Sequence, residues 1–155
     1  MVDKIPDVSN EWDKAKLRTL MENARRLKRD DVYKLALRQL CRAEGRNIED
    51  PLEAQFEIVM RALEEALTEQ SGRTKRLNRT RQKLGRSGVH KTLSDLAQSA
   101  KPSMGFLKLV EFGMADMSAE ALVLKFRSRF ASEVVLAAQH RLEEYKVPIP
   151  ADLES

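Results

Sequence analysis

Apolar residues recur every three or four positions through most of this chain, and no run alternates apolar with polar beside a second run that could pair with it. That period is the helical one, so the spacing predicts an all-α protein. A first helix is expected from near Asn10 to about Arg29, with Leu17, Leu20, Met21, Ala24 and Leu27 on one face and Glu11 and Asp13 in its first turn. Asp30 can cap a second, in which Tyr33, Ala36, Leu37, Leu40 and Cys41 share a face and Gly45 is the natural terminator. Asp50-Pro51 is a strong third start, because the Asp carboxylate accepts free N–H groups and Pro at the first helical position lacks one. The stripe Leu52, Phe56, Val59, Met60, Leu63 and Leu67 then runs on to a stop at Gly72.

The second half predicts four short helices, at about Val89 to Ser99, Ser103 to Phe112, Ser118 to Phe126 and Ser132 to Tyr145, with Ser or Gly at most boundaries. Phe106 to Phe112 and Leu122 to Phe126 are apolar enough to be buried nearly all round. Ala121 to Phe126 has the composition of a strand, but with no hairpin partner nearby it is assigned as helix. The expected architecture is one helical domain over 1–155, a compact bundle of seven or eight helices. Three longer helices fill 10–72, a basic helix covers 73–91, four short helices fill 92–147, and Met1 to Ser9 and Pro148 to Ser155 are loosely held ends.

Composition narrows the function classes. A chain of 155 residues, 42% apolar and 34% charged, can bury one core. No run approaches the roughly 18 apolar residues of a membrane span, and Met1-Val2-Asp3-Lys4-Ile5-Pro6 has no signal-peptide stretch. Cys41 is the single cysteine, so there is no internal disulfide and no Cys-based zinc site; a reducing cytoplasm is expected, with Cys41 in the core. The net charge of +4 hides an uneven distribution. Lys and Arg number 13 against 15 acids over residues 1–72, 8 against none over 73–91, and 7 against 9 over 92–155. One block of net +8 therefore lies between two of −2, and its field is concentrated.

That block supplies the candidate site: Arg73, Lys75, Arg76, Arg79, Arg81, Lys83, Arg86 and Lys91. Projected as a helix, Arg76, Arg79, Lys83 and Arg86, with Lys75 at the edge, share an arc of about 100°, while Leu77 and Leu84 face elsewhere and dock. Like charges at these spacings repel, and a polyanion would relieve them. Arg grips phosphate with a planar fork, and Asn78, Thr80 and Gln82 can hydrogen-bond phosphates or base edges. The segment has no Phe, Tyr or Trp to stack on bases, which favours duplex DNA over RNA or single strands. Two other readings compete. In one the cations pair with acids of the first half, for example Glu57, Glu64 or Glu65; in the other the protein is a helical adaptor or subunit whose basic face meets an acidic partner. A membrane surface demands bulky apolar groups opposite the cations, and two leucines do not supply them. The cluster Arg25-Arg26-Lys28-Arg29 is explained by the negative end of the first helix.

Gly72-Arg73-Thr74 and Arg79-Thr80-Arg81-Gln82, followed by Gly88 and Gly105-Phe106, resemble a segment of an uncharacterised family of small proteobacterial proteins. The resemblance spans about residues 50 to 145 and implies a bacterial origin but no activity. Thr92 to Gly113 has the outline of a helix-turn-helix, yet Lys101-Pro102 stands where the turn favours glycine. Its second helix, with Met104, Phe106, Leu107, Leu109, Val110 and Phe112, is suited to burial rather than a groove. Catalysis finds no footing. His90 and His140 form no metal-spaced pair, His140 sits among charges, and Asp116, Glu120 and Lys125 straddle a helix start rather than adjacent strands. The chain is expected to be no enzyme and to need no cofactor.

Overall fold

The computed structural model describes residues 5–45 and 48–154; Met1 to Lys4 and Ser155, parts of the two expected loose ends, lie outside them. Among the described residues there are seven α-helices and no strand. The leader to the first helix is not helical: Asp13, expected inside the first turn, is instead its cap, and its side chain accepts the N–H groups of Ala15 and Lys16. Helix α1 (Lys14–Arg26) is therefore shorter than its apolar pattern suggested. Lys28, at φ 58°, turns the chain, and α2 (Asp30–Gly45) follows at once, its first turn carrying Asp30 and Asp31. Three residues between helices leave room only for a helical hairpin.

Helix α3 (Pro51–Ser71) starts as its sequence dictates, with the Asp50 carboxylate accepting the Glu53 N–H, and stops at Gly72, whose φ of 73° is costly for any residue with a Cβ. It is the wall shared by two cores. Phe56, Val59 and Met60 face one, with Leu93, Leu122, Phe126 and Leu142 from the later helices. Ala62 and Leu63 face the other, with Leu17, Met21, Leu37, Leu40 and Cys41.

Past α3 the chain runs without helix to Leu77 and enters α4 (Asn78–Gln98), which is broken at Gly88 (φ 83°, ψ 168°). The expected basic helix and the expected helix from Val89 are the two limbs of this element. In a straight helix Lys83 and Asp95 would stand about 18 Å apart. Here their side chains form an ion pair, so the limbs fold back on each other at the glycine. Helices α5 (Met104–Glu111) and α6 (Ala119–Lys125) start at Ser103 and Ser118, whose hydroxyls accept the N–H groups of Phe106 and Ala121. A 3₁₀ turn precedes α6 and another follows it, and α7 (Ser132–Glu144) completes the set.

Burial follows the pattern in α6, where Leu122, Val123 and Leu124 are buried, as is Phe126 beyond it. It departs from it in α5, whose Phe106 and Leu109 are buried while Leu107 is 40% exposed. A helix of eight residues lying on a core turns one face outward however apolar its sequence. The C-terminal residues also differ from expectation: Leu153 donates its N–H to the Lys125 carbonyl, Arg127 donates to the Pro150 carbonyl, and Arg129 pairs with Glu154. These contacts hold the tail against the end of α6.

One charged pair sits inside. Arg141 of α7 meets Glu120 of α6 at 3.1 Å and also donates to the carbonyls of Leu96 and Ser99, the acceptors that the end of α4 leaves without helical partners. Burial pushes the Glu120 carboxyl above its ordinary value, with Arg141 opposing. Arg141→Met should lower stability by about 3–5 kcal/mol in urea unfolding, because an uncompensated carboxylate stays buried. Adding Glu120→Leu should recover part of that loss, the carbonyls remaining unpaired. Cys41, at 0% exposure, should react with a thiol reagent only once denaturant opens the second core.

Candidate nucleic-acid interface

Geometry in the basic segment begins at Gly72. Its left-handed turn sends the chain back along α3, where the Lys75 N–H donates to Thr68 Oγ1 at 2.9 Å and the Leu77 N–H to Glu64 Oε2 at 2.8 Å. These two anchors hold residues 73–77 out of the helix, so Lys75 and Arg76 do not join the helical arc projected for them. Both side chains are exposed, as is that of Arg73. Leu77 itself touches both cores.

Arg81, one turn into α4, points inward. Its guanidinium donates to Glu64 at 2.7 and 2.8 Å and to both Glu57 oxygens at 3.2 Å, a two-carboxylate grip that matches the planar fork. Of the candidate cations it is the one that realises the pairing with Glu57 and Glu64, and its charge is spent inside the protein. Glu64 is 2% exposed and is also approached by Arg61 at 3.5 Å. Burial pushes its carboxyl up, but the hydrogen bonds from Arg81 and the Leu77 N–H outweigh burial and hold it below its ordinary value. The Arg81 guanidinium is correspondingly raised, first by the Glu64 hydrogen bond. Lys83 and Lys91 both reach Asp95 on the returning limb, and the Lys83 hydrogen bond lowers that carboxyl.

Eight cations thus sort into two groups. Arg81, Lys83 and Lys91 are paired with acids, whereas Arg73, Lys75, Arg76, Arg79 and Arg86 are exposed and form no ion pair among the described residues. The first group fixes the segment, and the second leaves five exposed like charges along it. Exposed Asn78 and Gln82 lie between them. No side chain caps α4 at Leu77, so its first N–H groups add partial positive charge beside Arg76 and Arg79.

No protein-family model matches the chain, no curated protein matches it in sequence, and no solved structure matches it in fold.

The other sequence candidates are not part of this segment's exposed charge. His140 is exposed on α7, and no cluster of three metal-ligating side chains occurs among the described residues. Asp116 holds Arg38 in a bidentate pair at 2.8 and 3.2 Å, whereas Glu120, four residues on, is paired with Arg141 instead. Three organisers of the segment escaped sequence reasoning: Asp95 as acid for two lysines, Thr68 as acceptor, and His90. The His90 ring stacks on Phe130 at 4.7 Å, and its Nε2–H donates to the Arg129 carbonyl at 2.8 Å, fixing the limb beyond Gly88. Glu64 carried a readable signal, being a carboxylate between Met60 and Leu67 at helical spacing, beside the apolar stripe of α3.

Arg81→Met should destabilise the protein by about 2 kcal/mol at neutral pH, less than a fully orphaned buried carboxylate because Arg61 remains near Glu64. The folded Glu64 carboxyl titrates below its ordinary 4.5. Its contribution is therefore complete above that value and lost as the pH falls through the lowered one. Thermal melts of the two proteins should differ most at neutral pH and converge as the buffer is taken progressively below pH 4.5.

Proposed function

We propose that this protein binds the phosphate backbone of duplex DNA through Arg73, Lys75, Arg76, Arg79 and Arg86, with Arg81, Lys83 and Lys91 holding the segment in shape. The observation that carries the reading is the division of the cations: the paired ones build the segment, and five exposed ones are left without acids on a part of the chain that contains none. Such a patch repels itself and is relieved by a polyanion. Four of the five are arginines, suited to forked phosphate contacts, and the uncapped start of α4 offers N–H groups of the same polarity. Residues 73–91 contain no Phe, Tyr or Trp, and the His90 ring is already stacked on Phe130, which argues for a duplex over bases stacked from a single strand. A cytoplasmic setting suits a chain whose single cysteine is buried and can form no internal disulfide.

Backbone contacts carry no base information, so affinity should be similar on unrelated duplexes and steep in salt. Five phosphate contacts give a slope of log association constant against log salt of about −4.5. Arg76→Ala with Arg79→Ala should make it shallower by about two units while the melting temperature stays put, since neither side chain pairs with an acid. A fluorescence titration of labelled duplex at several salt concentrations reads both quantities. Failure of the wild type to bind at low salt would overturn the reading and leave an acidic protein partner as the occupant of the patch.

A further inference from the structure

A second feature lies away from the basic segment. Between the leader, α2, α3 and α6 runs a groove of about 670 Å³, within the size range of small-molecule sites. Leu35, Ile58, Val59 and Leu122 form its apolar floor, and Trp12, Arg42 and Lys125 stand along its walls.

The charges around it are unequally satisfied. Of its two acids, Asp7 accepts from the Ser9 N–H and hydroxyl at 3.0 and 2.7 Å, and Asp116 is held by Arg38. Among the described residues the cations Arg42 and Lys125 hydrogen-bond only to neutral groups: Arg42 donates to Gln39 Oε1 at 3.3 Å and lies over the Trp12 ring at 5.8 Å, while Lys125 Nζ donates to the Asp116 main-chain carbonyl at 3.0 Å, the Asp116 carboxylate itself being held by Arg38. Two of the three ammonium protons of Lys125 remain for other acceptors. Burial lowers the Lys125 amine from its ordinary value, with Asp116 opposing and Arg38 adding to the fall. A half-buried ammonium pressed by a neighbouring guanidinium and met by a backbone carbonyl is a place where an anion is stabilised.

The geometry points to this groove as a binding site for an amphipathic monoanion, a medium-chain carboxylate whose head meets Lys125 and whose alkyl chain covers Leu35, Ile58, Val59 and Leu122. The charge surplus selects the sign of the head, and the floor selects an apolar body. A single carboxylate satisfies Lys125 without displacing Arg38 from Asp116. The site shares no residue with segment 73–91, so it stands or falls independently of DNA binding.

Trp12 is the only tryptophan in the chain and borders the groove, so its emission reports occupancy. The full-length protein is titrated with decanoate, with decanol and with decyltrimethylammonium, all below their micellar concentrations. Decanoate should give a saturable change in Trp12 emission, and decanol should bind about tenfold more weakly for want of a charge-assisted hydrogen bond. Lys125→Met should weaken decanoate by a similar factor and leave decanol unchanged, whereas Lys125→Arg should retain decanoate binding. No saturable emission change with decanoate would overturn the proposal, and so would an equal response to the cationic amphiphile or undiminished affinity in a folded Lys125→Met protein. The comparison among the three ligands on the wild-type chain decides the matter even if Lys125→Met does not fold.

Discussion

A carboxylate buried in a helix face needs its counter-charge delivered from elsewhere in the chain, and Glu64 imposes that constraint here. At 2% exposure it could not remain ionised among Met60, Leu63 and Leu67 without strong donors. Arg81 supplies two hydrogen bonds and the Leu77 N–H a third. Meeting that need fixes where the non-helical stretch 73–77 ends, where α4 begins, and which side of its first limb faces α3. The directions of the neighbouring cations on that limb follow. With Arg81 turned inward, Arg79 cannot share its direction and is left in solvent, and Arg86, further round the same limb, stays out as well.

A second constraint acts at Gly88. With φ 83° the backbone leaves the helix, and the chain doubles back so that Lys83 meets Asp95 from the following limb. His90, stacked on Phe130 and bonded to the Arg129 carbonyl, joins the second limb to the region where Arg129 holds both Asp50 and Glu154. Asp50 is in turn the cap of α3. A line of polar contacts therefore connects the start of the central helix, the C-terminal tail and the returning limb of the basic segment. Its members are partly exposed, and each is worth little alone. Together they restrict how the basic limb can move relative to α3.

The two proposed sites use cations in opposite ways. On segment 73–86 the free charges lie on the surface, repel one another and suit a long polyanion. In the groove beside Trp12 a single ammonium is half-buried above apolar side chains and suits one small anion with a hydrocarbon body. Exposure separates them: solvent screens the surface charges except against a dense array of phosphates, whereas a partly buried ammonium feels a single neighbour strongly.

The helical class and most helix starts were legible in the residues alone, because capping is local: Asp50 with Pro51, Ser103 and Ser118 each lie within three residues of the N–H they accept. So were the positive block and the buried face of α2 with Cys41, since both depend on residues near in sequence. Tertiary structure alone decided which cations are free. Arg81 and Arg79 are two residues apart in the same run, and only the approach of Glu64 and Glu57, 17 and 24 positions back, distinguishes them. It likewise decided the fold-back at Gly88, the anchoring of the tail and the groove around Lys125, each formed by groups distant along the chain. Hydrophobic period and caps record what a residue does with its neighbours; the partner of a charge is set by which helices pack together.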